Sequence, residues 1–237
     1  MKKKLSVVIG GSKGHGLEIV NELKARGDHI INISRSKNNK ANENICIDLA
    51  SAKLLNSLKN KIKSRKIDSL IFSQKYRGTN FDEEIKVMVK SCKDIVLLFK
   101  NNFNVNSSVV FLSTTAIKRI ADQDINYYIS QVSRNIISKF FAVKFNKNKV
   151  RFNTILPSRA IKKENKKYFI KNKKERKKLI KINPLNTIPT SKDVAMLVNF
   201  LTSENSKMIN GETIAVDGGL NLYGQEQLLN DYNQKKL

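Results

Sequence analysis

A glycine-rich loop, IGGSKGHG, directly follows the short apolar run LSVVI near the start of the chain. Gly10, Gly14 and Gly16 have a G-x-x-x-G-x-G spacing, and the run LEIVNELKARG after them is typical of a helix that ends at Gly27. Such a loop needs glycine where the backbone turns and where a pyrophosphate approaches the helix N-terminus. A tight structural turn is the alternative, but the strand–loop–helix context favours a nucleotide-binding loop.

Segments of strand and helix type alternate along the rest of the chain. The predicted strands after the first are HIINIS, ICI, SLIF, VVFL, VRFNTIL and ETIAV. The predicted helices cover about residues 50–64, 82–100, the run that opens with Tyr127, and about 192–202. This alternation predicts an α/β fold, a doubly wound parallel sheet of Rossmann type with helices on both faces in three layers. The length of 237 residues fits one domain spanning 1–237.

The chain is strongly basic, with a formal net charge of +25. Such a charge is compatible with binding to nucleic acid, to an anionic membrane surface or to an anionic substrate. Lys, Asn and Ile are abundant throughout, so an AT-rich coding sequence explains much of the charge. Segment 162–181 nevertheless holds eleven Lys or Arg against two Glu, a net +9. Because this segment carries few aromatic residues and no known nucleic-acid motif, nucleic-acid binding is disfavoured.

The N-terminus and the cysteines bear on the location of the protein. MKKKLSVVIGG is basic and then apolar, but its apolar part is too short for a signal peptide and leads into the glycine loop. No apolar run approaches the roughly 20 residues that a membrane span needs. Cys46 and Cys92 are far apart and belong to no paired motif. These features predict a cytoplasmic protein without a membrane span or a metal site.

Four segments, in the same order, resemble segments of the short-chain dehydrogenase/reductase family. IGGSKGHG resembles the family's TGGSxGIG loop, ICIDLA its strand-end aspartate segment, VRFNTILPSRAI its VRVNAIAPG segment, and the stretch ending in VDGG its C-terminal stretch. The resemblance extends from Leu5 to about Leu222. It implies an oxidoreductase that transfers a hydride to or from a nicotinamide cofactor. The cofactor-binding positions that it implies are Gly10, Ser12, Lys13, Gly14, Gly16, Asp48 and Leu49.

The end of the second predicted strand bears on the choice between NADP(H) and NAD(H). INISRSK places Ser34 where an acidic residue would hold the ribose diol of NAD, and Arg35 follows it. Arg35 and Lys13 would pair with a 2′-phosphate, whereas an aspartate would repel it. NADP(H) is therefore favoured over NAD(H), with Arg35 as a further cofactor-binding residue. The alternative for Arg35 is a solvated surface charge.

The resemblance also assigns the catalytic positions. YYISQ matches the family's YxxSK, which places Tyr127 at the acid that gives or takes the substrate proton and Gln131 at its activating lysine. VVFLSTTA places Thr114 at the serine that hydrogen-bonds the substrate oxygen. Gln131 is neutral and cannot stabilise a phenolate by charge, although it can bond a ribose hydroxyl. Arg134, one turn further along, is an alternative source of charge.

Other positions on the catalytic side depart from the family pattern. NNAG reads FSQK at residues 72–75, the proline-glycine pair reads Pro157-Ser158, the threonine after it is Lys162, and no asparagine occurs in 82–97. Three functions therefore stay open. The first is an NADP-dependent oxidoreductase acting on a carbonyl or alcohol. The second is a nucleotide-binding relative without turnover, acting as a sensor or scaffold, and the third is a basic interaction protein for nucleic acid or membrane.

Segment 162–181 occupies the place of the family's lid over the substrate. Its charge predicts an anionic substrate, such as a phosphorylated or nucleotide-linked sugar or a carboxylate, and a solvated helix charged on every face is the alternative. The resemblance also implies a homodimer or homotetramer formed through the helix at 82–100 and the helix that opens with Tyr127. Leu97, Phe99, Phe140 and Phe141 cannot all face one sheet, so apolar surface is left to bury between subunits.

Overall fold

The centre of the molecule is a parallel seven-stranded sheet. The computed structural model describes residues 3–120, 122–145, 148–224 and 226. The strands are β1 Leu5–Ile9, β2 His29–Ser34, β3 Glu43–Cys46, β4 Ile67–Phe72, β5 Phe103–Leu112, β6 Arg151–Pro157 and β7 Thr213–Val216. They are all parallel and lie in the order β3-β2-β1-β4-β5-β6-β7. The winding direction reverses between β1 and β4, which confirms the predicted doubly wound fold.

Helices cover both faces of the sheet in three layers. Their bounds are α1 Gly14–Ala25, α2 Leu54–Ile62, α3 Phe81–Ile85, α4 Ser91–Leu98, α5 Ile125–Lys144, α6 Lys166–Lys171, α7 Lys173–Lys181 and α8 Ser191–Leu201. One buried cluster lies under α2, α4 and α5, and a second lies under α1 and α8. Val7 and Val8 of β1 point to different clusters because successive strand residues face opposite sides. Among the described helices, none is long and apolar enough to cross a membrane.

Several predicted bounds were wrong by a few residues. β3 begins at Glu43 and ends at Cys46, so Asp48 lies two residues beyond the strand. β5 begins six residues before VVFL, because Phe103 pairs with Ile67 of β4 and the pairing resumes at Ser108 after a register shift. The predicted helix at 82–100 is α3 and α4 joined by a π-helical turn, Lys86–Lys90, and it ends at Leu98. The prediction of Gly27 as the end of α1 is confirmed, since it has φ of +100°.

The basic segment 162–181 folds into two short helices, α6 and α7. Phe169 is the buried residue of α6, while α7, all of whose residues are described, buries none. Most of its cations therefore lie in solvent, as in the alternative of a helix charged on every face. Its first residues, however, contact the glycine loop and belong to the site.

Candidate active site

The carboxyl ends of β1, β4, β5 and β6 open into one cleft with a cavity volume of about 980 Å³. A cleft beside the switch point of a doubly wound sheet is where ligands bind in such folds. Ten of the eleven residues predicted for the site line it: Gly10, Ser12, Lys13, Gly14, Arg35, Asp48, Leu49, Thr114, Tyr127 and Gln131. Gly16 does not line the cleft and instead lets α1 approach the loop.

The glycine loop has no room for side chains at two of its positions. Gly10 has φ of +80°, and a Cβ on it would lie 2.6 Å from the backbone of Gln74. A Cβ on Gly16 would lie 2.1 Å from the carbonyl oxygen of Gly10. Both distances are below van der Waals contact, so any side chain would displace the loop. The loop leads directly into α1, whose first residues, Gly14 and His15, line the cleft at the helix N-terminus.

The end of β2 carries no acidic side chain. The Ser34 hydroxyl donates to the Ser36 carbonyl at 2.6 Å, and Arg35 follows it with its side chain largely exposed. The Arg35 guanidinium lies 3.9 Å from an Asp48 carboxylate oxygen, and both groups are open to water. Such an exposed pair is weak, so the guanidinium is free to exchange Asp48 for another anion. Leu49, which is buried, supplies an apolar wall next to Asp48.

Tyr127 and Gln131 lie on the inward side of α5, one turn apart. The helix begins at Ile125, where the Asp124 side chain caps it by accepting from the Asn126 N–H at 2.8 Å. Tyr127 is half-buried, and Gln131 is only 4% exposed. The Ser113 hydroxyl donates to the Gln131 carbonyl at 3.0 Å, which ties the end of β5 to this turn of α5.

Thr114 presents its hydroxyl to the same cleft. Its oxygen accepts from the Ala116 N–H at 3.2 Å, which caps a short 3₁₀ helix at Thr115–Lys118. Because the oxygen acts as the acceptor there, the hydroxyl proton is left to donate to a ligand. Tyr127 and Thr114 thus place two O–H donors on one cleft.

Arg134 is buried beneath the site, only 1% exposed. Its guanidinium donates to three backbone carbonyls: Leu112 at 2.6 Å, Gln74 at 3.1 Å and Met88 at 3.1 Å. These carbonyls lie at the end of β5, just after β4 and in the π-helical turn. Desolvation lowers the pKa of Arg134, while the neighbouring Cys92 and Tyr127 act in the opposite direction. Arg134, which the sequence offered as an alternative source of charge near Tyr127, is therefore a fixed cation under the cleft.

Lys75, in the loop after β4, lies over the ring of Tyr127 in the cleft. Its Nζ lies 5.7 Å from the centroid of the Tyr127 ring. Desolvation and then the neighbouring Arg77 lower the pKa of Lys75, and Glu84 raises it. Sequence reasoning noted Lys75 only as a departure from NNAG, because a contact between residues 75 and 127 leaves no local pattern.

Several buried polar atoms around the cleft lack a protein partner. Among the described residues, no hydrogen bond reaches His15 Nδ1, Ser73 Oγ or Gln74 Oε1. Desolvation, followed by Lys162 and Lys75, lowers the pKa of His15 to about 3, so its ring is neutral at pH 7. Unpaired buried groups beside a glycine cradle and several cations fit a polar, anionic dinucleotide. No cluster of three metal-ligating side chains occurs in the part of the chain that the structure describes.

The start of segment 162–181 closes over the glycine loop. A carboxylate oxygen of Glu164 accepts from the Gly14 N–H at 2.7 Å, and the Lys162 side chain lies 3.7 Å from where a Gly14 Cβ would be. Desolvation raises the pKa of Glu164 and the hydrogen bond from the Gly14 N–H lowers it, and the net result is a lowered pKa. The negatively charged Glu164 thus occupies the N–H of Gly14, the first residue of α1. Sequence reasoning missed this contact, which joins residues 150 apart.

A family model described as enoyl-(acyl carrier protein) reductase matches residues 72–221, which include Tyr127, Thr114 and Gln131. The chain belongs to the short-chain dehydrogenase/reductase family. This is an oxidoreductase family, and the predicted resemblance is confirmed.

Curated relatives of this short-chain dehydrogenase/reductase include a plant protein and a bacterial protein. A tropinone reductase homolog of Arabidopsis thaliana is 30% identical over 118 residues, 49% of this chain. The match covers 44% of that protein, so the chain spans less than half of this relative's length. The 3-oxoacyl-[acyl-carrier-protein] reductase of Rickettsia conorii is 26% identical over 249 residues, covering 92% of this chain and 96% of that protein.

Solved structures of the family share the whole fold. A short-chain dehydrogenase family protein from Francisella tularensis has a TM-score of 0.81 and 26% identity, covering 94% of this chain and all of that one. ElxO with NADP bound has a TM-score of 0.80 at 19% identity, with 94% and 100% of the two chains covered. The second likeness shows the fold alone.

Proposed function

We propose that the protein is an NADP(H)-dependent oxidoreductase that reduces a carbonyl group of an anionic small molecule, with Tyr127 as the proton donor. The observation that carries the proposal is that Tyr127 and Thr114 line the same cleft as the glycine loop. The proposal further takes the chain as one domain, with 162–181 as a basic lid.

Tyr127, Thr114 and Gln131 have different roles in the proposed reduction. NADPH, when bound, supplies a hydride to the carbonyl carbon. Tyr127 gives its hydroxyl proton to the carbonyl oxygen, which yields the alcohol, and takes a proton back from solvent. Thr114 donates a hydrogen bond to that oxygen and orients it. Gln131, through its amide, is placed to bond a ribose hydroxyl rather than to act as an acid or base.

The preference for NADP(H) over NAD(H) is supported by the charges at the end of β2. No carboxylate follows this strand directly, and the exposed Arg35 makes a weak 3.9 Å contact with Asp48. Lys13, at the N-cap of α1, is likewise exposed. A 2′-phosphate would gain charge-assisted hydrogen bonds from both. ElxO, a protein of the same fold, binds NADP.

An anionic substrate is supported by the cations around the open part of the cleft. Besides Lys13, Arg35 and Arg134, the lining residues with positive side chains are Lys75, Arg77, Arg119, Arg159 and Lys162. Arg159 is paired with Glu175 at 2.5 Å, whereas no ion pair is recorded for Arg77 or Arg119 with any described residue. A phosphate or carboxylate on the substrate would find these guanidinium groups available.

A second candidate is a cofactor-binding relative without turnover. It is favoured by the burial of the neutral Gln131 where the family's lysine would stand. In that case the protein acts as a sensor or scaffold, and ligand binding is its output.

One experiment separates these candidates. NADPH fluorescence would be titrated with the full chain, and NADPH oxidation would then be followed with carbonyl compounds that bear a phosphate or carboxylate, each beside a neutral analogue. We expect NADPH binding and turnover that prefers the anionic member of each pair. Binding without turnover favours the second candidate, and no binding contradicts both.

A further inference from the structure

We propose that Lys75 supplies the positive charge that Gln131 lacks, acting from the loop after β4 over the face of the Tyr127 ring. The inference rests on the proposed function and names the group that sets the acidity of its proton donor. Lys75 acts through Tyr127, so it is a positioning residue and not an acid or base itself.

The geometry places a cation where it discriminates between the two forms of the phenol. Lys75 is the third residue after β4, and its Nζ lies 5.7 Å from the Tyr127 ring centroid. An ammonium group is attracted to the face of a neutral aromatic ring by the ring's quadrupole. Ionised Tyr127 carries a full negative charge, so the attraction becomes stronger. At this position the Lys75 ammonium interacts more strongly with the phenolate than with the neutral phenol.

The backbone that carries Lys75 is fixed in place. The preceding residue, Gln74, donates from its side chain to the Val87 carbonyl at 3.2 Å and accepts from Arg134 at its own carbonyl. The glycine loop packs against the same backbone, since a Cβ on Gly10 would clash with it. The backbone at Lys75 is therefore fixed, and rotation about the bonds of its side chain is enough to bring Nζ to the Tyr127 ring.

A carboxylate next to α5 favours the charged form of Lys75. Desolvation and then Arg77 lower the pKa of Lys75, and Glu84 of α3 opposes that shift. The Ser130 hydroxyl donates a 2.6 Å hydrogen bond to Glu84 and holds it in place. Ser130 lies three residues after Tyr127, so the same turn of α5 places both the phenol and the carboxylate that supports its cation. The other charged or titratable groups that face this pair are Arg77, His15, Lys162 and Arg134.

Lys75 and Arg134 differ in what a substitution would disturb. Arg134 is buried under α5 and bonded to three carbonyls, so its removal would disturb the fold. Lys75 is exposed in part and has no recorded hydrogen bond to a described residue. Lys75 is therefore the cation whose effect on Tyr127 a simple substitution can isolate.

The test measures the Tyr127 pKa in the full chain without any substrate. Tyrosine labelled with ¹³C at Cζ would be incorporated, and the Tyr127 signal would be assigned by its loss in Tyr127→Phe and followed by NMR against pH. We expect Lys75→Met to raise the Tyr127 pKa by about one unit or more, which is about tenfold less phenolate at a given pH. Lys75→Arg should keep the native value. Lys118→Met removes an exposed lysine from the 3₁₀ helix after Thr114, and should also keep it.

Two results would overturn the inference. One is an unchanged Tyr127 pKa in Lys75→Met, and the other is an equal rise in Lys118→Met, which would indicate a general effect of net charge. An effect of Lys75→Met on KM alone, with the pKa unmoved, would assign Lys75 to substrate binding instead. The proposed function fails separately: if the pKa responds but Tyr127→Phe turns over at the native rate, the charge pairing stands and the proton-donor role does not.

Discussion

The Lys75 ammonium, carried by the loop after β4, lies 5.7 Å from the centre of the Tyr127 ring of α5. In the family pattern that the sequence resembles, a lysine one turn along α5 supplies the charge at this phenol. Here the residue on α5 is neutral and buried, and the cation comes from the loop after β4. The family's lysine on α5 and Lys75 in the loop after β4 thus place a positive charge near the same tyrosine ring from two different parts of the fold.

Gln131→Lys should replace the contribution of Lys75. If both residues act on Tyr127 by charge, Lys75→Met should slow alcohol oxidation at neutral pH by about tenfold, because less phenolate is present to accept the proton. Gln131→Lys should restore that rate in the double variant. The check is the initial rate of oxidation at pH 7 for the native protein, both single variants and the double variant.

A double variant that oxidises the alcohol as slowly as Lys75→Met alone would contradict a shared action on Tyr127. The Ser113 hydroxyl contacts the backbone carbonyl of residue 131, so the substitution leaves that hydrogen bond in place. Circular dichroism would first establish that Gln131→Lys is folded, so that a change in rate is not caused by unfolding.

Arg35→Asp should weaken NADP(H) binding by about 1–3 kcal/mol, because a charge-assisted contact to the 2′-phosphate becomes a repulsion. NAD(H) binding should change less or improve. Fluorescence titrations with NADPH and NADH measure both. Lys37→Asp makes the same charge change at an exposed position two residues along, and should affect the two cofactors alike. Equal losses for both cofactors in Arg35→Asp would remove Arg35 from 2′-phosphate recognition.

Arg134→Leu should lower the free energy of unfolding by about 2–4 kcal/mol, because three buried carbonyls lose their donor. Arg159→Leu removes an exposed guanidinium paired with Glu175 and should change it by about 1 kcal/mol or less. Urea unfolding followed by circular dichroism gives both values. Similar midpoints for the two variants would mean that Arg134 does not join β4, β5 and the π-helical turn energetically.

The sequence predicted the sheet and the phosphate loop because both leave local patterns. Apolar runs of strand length and the glycine spacing are readable residue by residue, and the order of segments then limits the topology. The inward side of α5 was harder to read. Its buried residues include Ser130, Gln131, Arg134 and Ser138, whereas most of the apolar stripe that repeats through Ile129, Val132, Ile136 and Phe140 is exposed.

The exposed stripe on α5 predicts self-association. Leu97 and Phe140 are exposed while Phe99 and Phe141 are buried, so apolar surface is left outside the core as expected from the sequence. Light scattering at micromolar concentration should give the mass of a dimer or tetramer, and Ile136→Glu should reduce it. Ile120→Glu, which changes an exposed residue outside α5, should not. A monomeric native protein would contradict this prediction.

The catalytic side of the site, where the sequence departs from the family pattern, could not be predicted from local patterns because its contacts are long-range. Gln74 meets Arg134 across 60 residues, Met88 meets it across 46, and Glu164 reaches Gly14 across 150. In the sequence, Gln74 was part of a departure from the family's NNAG, and Glu164 was part of the basic segment 162–181. Only the packing of the loop after β4 against α5, and of the basic segment against the glycine loop, gives them a place in the cleft.

The measurement that tests the account most directly is the single-turnover rate of NADPH oxidation by Tyr127→Phe with a carbonyl substrate found in the panel. The matched control is Tyr128→Phe, which removes the neighbouring phenol, buried and not part of the cleft lining. We predict that Tyr127→Phe binds NADPH normally and loses a hundredfold or more of the rate, about the contribution of a positioned proton donor, while Tyr128→Phe keeps most of it. A Tyr127→Phe variant that reduces the substrate as fast as the native protein would contradict the account.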